Sequence, residues 1–135
     1  METANHEYYV SLEVAKLLKK AGFDWEVNHS YPNCESLDNS CSGYMEDLSF
    51  YHNLNDSKYG GMSAPTLEIA QRWLRETHNL HITIFSSSQE SWMFRITKLH
   101  EKLENGVYGE DFYTYEEAQE AGIKKALEII LEKGE

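Results

Sequence analysis

The chain has 135 residues, with 23 acidic against 12 basic side chains and a net charge of −11, and aromatics make up 13 % of it. Its 41 % hydrophobic content excludes a disordered chain, and no apolar run approaches the roughly 20 residues that a membrane span needs. The acidity works against nucleic-acid binding, whose affinity comes largely from cations set against phosphates.

The opening, METANHEYY, lacks the basic and then apolar pattern of a secretory signal, so a cytoplasmic location is expected. SLEVAKLLKKAGF then reads as a helix. Ser11 fits the N-cap, Val14, Leu17, Leu18 and Ala21 share a face, Lys19 and Lys20 suit the last turn, and Gly22 the left-handed stop. WEVNHSY (25–31) alternates Trp25, Val27, His29 and Tyr31 with polar residues, as a strand does. From 32 to 61 periodicity gives way to Asn, Ser, Asp and Gly. This is expected to be an irregular segment holding one short strand near 46–51.

APTLEIAQRWLRETHN reads as a second helix, with Pro65 in the first turn and Asn79 ending it. Leu67, Ile69, Ala70, Trp73, Leu74 and Thr77 form its apolar half. Glu68, Arg72 and Glu76 are spaced for i,i+4 pairing on the solvated half. Beyond Asn79 the period drops to 2: HITIF (81–85) and WMFRITKL (92–99) form a hairpin around SSSQES, and 107–113 adds a third strand. The last helix starts with a capping box, Thr114 at the N-cap and Glu117 at N3. Gly122 stands inside its apolar stripe, which predicts close packing against a strand.

The expectation is one α+β domain over 1–135, a small antiparallel sheet of about two to four strands packed against about three helices. Trp73, Leu74, Ile82, Ile84, Phe94, Ile96, Ile123, Leu127 and Ile130 should form one core. The helix–strand–strand–strand–helix order of the second half is similar to that of double-stranded-RNA-binding domains. Those domains carry basic residues where this chain has Tyr115, Glu116 and Glu117, so their function is not expected here.

Chemistry-bearing motifs are sparse. Cys34 and Cys41 with His29 and His52 make a two-cysteine, two-histidine set, but the cysteines are not the tight pair of known zinc sites, so no metal and no cofactor is expected. His78 and His81 fall across a helix end and a strand start and should not share a ligand direction. The serines at 40–42 and 86–88 lack a nucleophile elbow, and Gly60 and Gly61 lack the lysine of a phosphate loop.

SAPTLEIAQRWLRETHNLHITI, an aromatic hairpin and YTYEEAQEAGIKKALEII together resemble a family of short uncharacterised proteins of gut bacteria, their prophages and other mobile elements. With YVSLEVAKLLKKAGF the resemblance covers about half the chain, and it implies kinship and no activity. The expected function is a non-catalytic accessory module that binds a protein partner, with Tyr44, Phe50, Tyr51 and Tyr59 as contact residues. The alternatives are a nucleic-acid mimic that inhibits a DNA-binding protein, and a small hydrolase or metal-dependent enzyme.

Overall fold

Local sequence signals start and stop the three helices. The computed structural model of the chain describes residues 8–32, 46–56, 61–87, 89–98 and 107–132. In α1 (Leu12–Ala21) the Ser11 hydroxyl accepts the Val14 amide, and Gly22 ends the helix at φ 95°. α2 (Leu67–His78) starts later than Pro65 suggests. Thr66 is its N-cap and accepts the Ile69 amide, because a hydroxyl can satisfy an orphan N–H and a proline cannot. Pro65 therefore lies outside the first turn, and its carbonyl accepts the Val10 N–H at 3.0 Å. Asn79 closes α2 at φ 59°. At α3 (Tyr115–Glu132) the Thr114 hydroxyl accepts the Glu117 amide at 3.0 Å. The Glu117 carboxylate reaches back to the Tyr113 amide at 3.1 Å, one residue beyond the N-cap.

The strands fall into two antiparallel three-stranded sheets. In one, β1 (Val27–Pro32) lies between β2 (Glu46–His52) and β3 (Gly61–Ser63). In the other, β5 (Trp92–Lys98) lies between β4 (Leu80–Ser86) and β6 (Tyr108–Phe112). The α+β class is as expected, while the strands are divided over two sheets. β3 escaped the sequence because three consecutive buried residues, Gly61 to Ser63, carry no alternation.

α3 lies across β4, β5 and β6, α2 packs on β4 and α3, and α1 joins α3 to β3. Gly122 makes the close approach possible: a Cβ there would stand 2.8 Å from Ile82 Cγ2 and 3.2 Å from Phe94 Cγ. Of the nine expected core residues eight are buried in one cluster. Ile84 is half-buried and packs against that cluster from β4, whose burial fades toward the hairpin. Thr77, expected on the apolar half of α2, is exposed at the edge of the stripe.

The same cluster takes Val10, Phe23, Leu54 and Met62 from stretches without periodicity. The described parts of 32–61 are therefore built into the fold. Leu54 is 1 % exposed. Asn55 donates from Nδ2 to the Phe23 carbonyl at 2.9 Å and accepts the Ser63 amide on Oδ1 at 2.9 Å. Among the described residues no helix is long and apolar enough to cross a membrane.

Candidate functional site

The fold leaves a groove of about 980 Å³ between α2, the start of α3 and the β1–β2 pair. Its first wall follows from the entry of α2. Residues 8–10 run antiparallel to 65–67, with the Leu67 amide on the Tyr8 carbonyl at 2.8 Å and a bridge between Tyr9 and Thr66. That pairing sets Tyr8 and Tyr9 beside the helix start, and both residues line the groove. Glu68, Arg72 and Arg75 continue the wall along the solvated face of α2. Arg72 Nε donates to Glu76 Oε2 at 2.7 Å, the i,i+4 contact that the spacing predicts. Among the described residues Arg75 has no carboxylate partner.

The opposite wall comes from β1 and β2. Their register shifts between Val27 and His29, and such irregularities re-aim neighbouring side chains. Trp25, Glu26, Asn28 and His29 line this side, with Asp47 and Tyr51 from β2. His29 is held by three neighbours. Its Nδ1 pairs with Asn28 Oδ1 at 2.8 Å, its Nε2 stands 3.6 Å from Asp47 Oδ1, and its ring lies 4.2 Å from that of Tyr9.

The floor is amide. Gln119 of α3 is 3 % exposed, and its Nε2 donates to Gln71 Oε1 at 2.8 Å. Gln71 Nε2 in turn donates to the Ile82 carbonyl at 2.8 Å, which ties α3, α2 and the edge of β4 together. Tyr115 and Glu116 close the end of the groove from the first turn of α3. Trp25 is coupled to the core through Phe23, at a ring distance of 6.4 Å, and Phe23 meets Trp73 edge-on at 5.3 Å.

Of the four expected contact residues, Tyr51 lines the groove. Phe50, its neighbour on the strand, points to the other face and meets the His52 ring edge-on at 4.9 Å. Tyr44 and Tyr59 lie outside the described residues, as do Cys34 and Cys41. His29 and His52 have separate partners, and no group of three or more His, Cys, Asp or Glu suited to a metal occurs among the described residues. His78 and His81 also diverge. His78 meets the Trp73 ring at 4.9 Å, while His81 pairs with Asn79.

Tyr8, Tyr9, Trp25 and Tyr115 carry no local signal of a groove, because three segments distant in sequence bring them together. One signal was available. Gln119 stands three and four residues before Gly122 and Ile123, inside the apolar stripe, where a buried amide requires a partner. Chemically the groove offers ring faces, carboxylates and amides for binding. Thr66, which also lines the groove, already uses its hydroxyl to cap α2. Comparison of the chain with protein-family models, with curated proteins and with solved structures finds no match to any of them.

Proposed function

We propose that this chain is a small non-catalytic binding module of the cytoplasm, of bacterial or phage origin, whose partner is another protein seated in the groove. One observation carries the reading: Tyr8, Tyr9, Trp25, Tyr51 and Tyr115 all line a single open groove of about 980 Å³. That volume is at the upper end of the roughly 300–1,000 Å³ of small-ligand pockets, and aromatic rings are the side chains enriched where proteins meet. Tyr51 is 63 % exposed, and ring surface left in water on a defined wall gains most from a partner that covers it.

The arrangement of charge favours binding over mimicry of nucleic acid. A mimic needs unbroken rows of carboxylates, whereas those lining the groove are interleaved with aromatic residues and with Arg72 and Arg75, and Glu13, Glu76, Glu117 and Glu120 are engaged within the fold. The experiment is affinity capture from the native host with the parent protein, with Trp25→Ala/Tyr51→Ala, and with Tyr113→Ala. Tyr113 is 85 % exposed and does not line the groove. A partner retained by the parent and by Tyr113→Ala should be lost from the double variant, whose melting curve confirms that it is folded. Retention of that partner by a folded double variant refutes the proposal.

A further inference from the structure

We propose that the groove takes an extended cationic segment of the partner, with arginine or lysine side chains held between its rings and its carboxylates; this rests on the reading of the groove as a protein-binding site. Four carboxylates line the groove: Glu26, Asp47, Glu68 and Glu116. Two guanidinium groups oppose them, and one of these, Arg72, is already paired with Glu76. The local balance is thus acidic, and the net charge of −11 steers cations toward it from a distance.

Ring and carboxylate together form a donor set for cations. The faces of Trp and Tyr attract ammonium and guanidinium groups, most strongly when water is excluded. Glu68 and Glu116 stand in the first turns of α2 and α3, where the helix dipole favours negative charge. Along α2, Glu68 and Arg75 are separated by seven residues, about 10 Å at the helical rise. An extended segment spans that length in roughly three residues, so its cation can sit by Glu68 while its carbonyls face Arg75. Nucleic acid would present phosphates to the same four carboxylates and is disfavoured.

The test uses the full chain and fluorescence anisotropy with labelled nine-residue probes: a Gly-Ser-Arg repeat, the same repeat with Gln or Glu in place of Arg, and a nine-nucleotide thymidine strand. The Arg probe should bind at least about tenfold more tightly than the Gln probe, and the Glu and thymidine probes should not bind. Glu68→Gln and Glu116→Gln should each weaken the Arg probe about twofold to fivefold. Glu132→Gln, the same charge change at an exposed site on α3 outside the groove, should leave it nearly unchanged. Equal weakening by Glu132→Gln, equal affinity for the Gln probe, or tighter binding of the thymidine strand overturns the inference. Loss of partner capture in Trp25→Ala/Tyr51→Ala without binding of the Arg probe overturns the cationic occupant alone and leaves the groove as the protein-binding site.

Discussion

Gly122→Ala sets two opposed effects against each other in one methyl group. In a helix interior the change gains about 1 kcal/mol of intrinsic propensity. Here the new Cβ would stand 2.8 Å from Ile82 Cγ2, and 3.2 and 3.3 Å from Cγ and Cβ of Phe94. Carbon atoms pack best at about 3.5–4.0 Å. None of these neighbours is the free end of a long side chain, and Ile82 and Phe94 are only 7 % and 5 % exposed. Relief therefore requires α3 to lift from the sheet or Ile82 to leave its rotamer, and overpacking of this kind costs about 1–3 kcal/mol. Net of the propensity gain, the variant should lose about 0–2 kcal/mol, lowering the melting midpoint by up to roughly 8 °C for a chain of this length. Thermal and urea unfolding followed by circular dichroism measures it. Lys125→Gly, on the exposed face of the same helix, calibrates propensity alone. A midpoint raised in Gly122→Ala by the full propensity gain would mean that α3 does not press on β4 and β5 here.

Leu127 is 0 % exposed, so Leu127→Ala should cost about 2–5 kcal/mol in urea unfolding, while Arg75→Ala on the solvated face should stay within about 0.5 kcal/mol. His78 has a buried Nε2 with no hydrogen-bond partner, and burial, followed by the Lys98 charge, pushes its pKa below the ordinary 6.5. The folded state thus prefers the neutral ring. This stability is fully present above pH 6.5 and is lost as the pH falls through the folded value, so His78→Phe should flatten the decline in melting midpoint between about pH 7.5 and 5.5. Gln71→Ala should cost about 1–3 kcal/mol because it strands the Gln119 amide and the Ile82 carbonyl. In that background Gln119→Ala should add little, giving a coupling of about 0.5 kcal/mol or more in a double-mutant cycle; strict additivity would show that the amides act independently.

Most elements were legible because each carries a local signal. Ser11 and Gly22 bound α1, Asn79 ends α2, Thr114 starts α3, and the alternation of Ile82 with Phe94 and Ile96 marks β4 and β5. Gly122 was legible too, since a helix breaker inside an apolar stripe implies a neighbour that leaves no room for a side chain. What stayed hidden was held by contacts distant in sequence. β3 is too short for a period, Leu54 is a lone apolar residue amid polar ones, and Asn55 joins Phe23 to Ser63 through a single carboxamide. Tyr31, read as one step of an alternating strand, is fixed by its hydroxyl on the Val10 carbonyl at 2.7 Å, 21 residues away. The groove belongs to this second group: of the four aromatics expected as contacts in 32–61, Tyr51 lines it, beside Tyr8, Tyr9, Trp25 and Tyr115 from segments distant in sequence.

Departures from local sequence rules gather at that same place. An apolar residue at 119 would complete the α3 stripe without a buried amide to satisfy; the chain has Gln119, which needs Gln71, which in turn occupies the Ile82 carbonyl. A regular β1–β2 ladder would keep strict register, but it shifts beside His29. Pro65, suited to a first helical turn, lies outside it with its carbonyl on the Val10 amide, and Tyr8 and Tyr9 of the paired segment line the groove. A well-packed Leu in place of either glutamine would bury as much surface at less polar cost, so packing alone does not account for the amides. Conflicts between local preference and fold are expected where a surface is shaped for something other than stability. Here all three adjoin one groove, which five aromatic residues line. A surface selected for solubility alone would instead spread such rings apart and keep its amides in water.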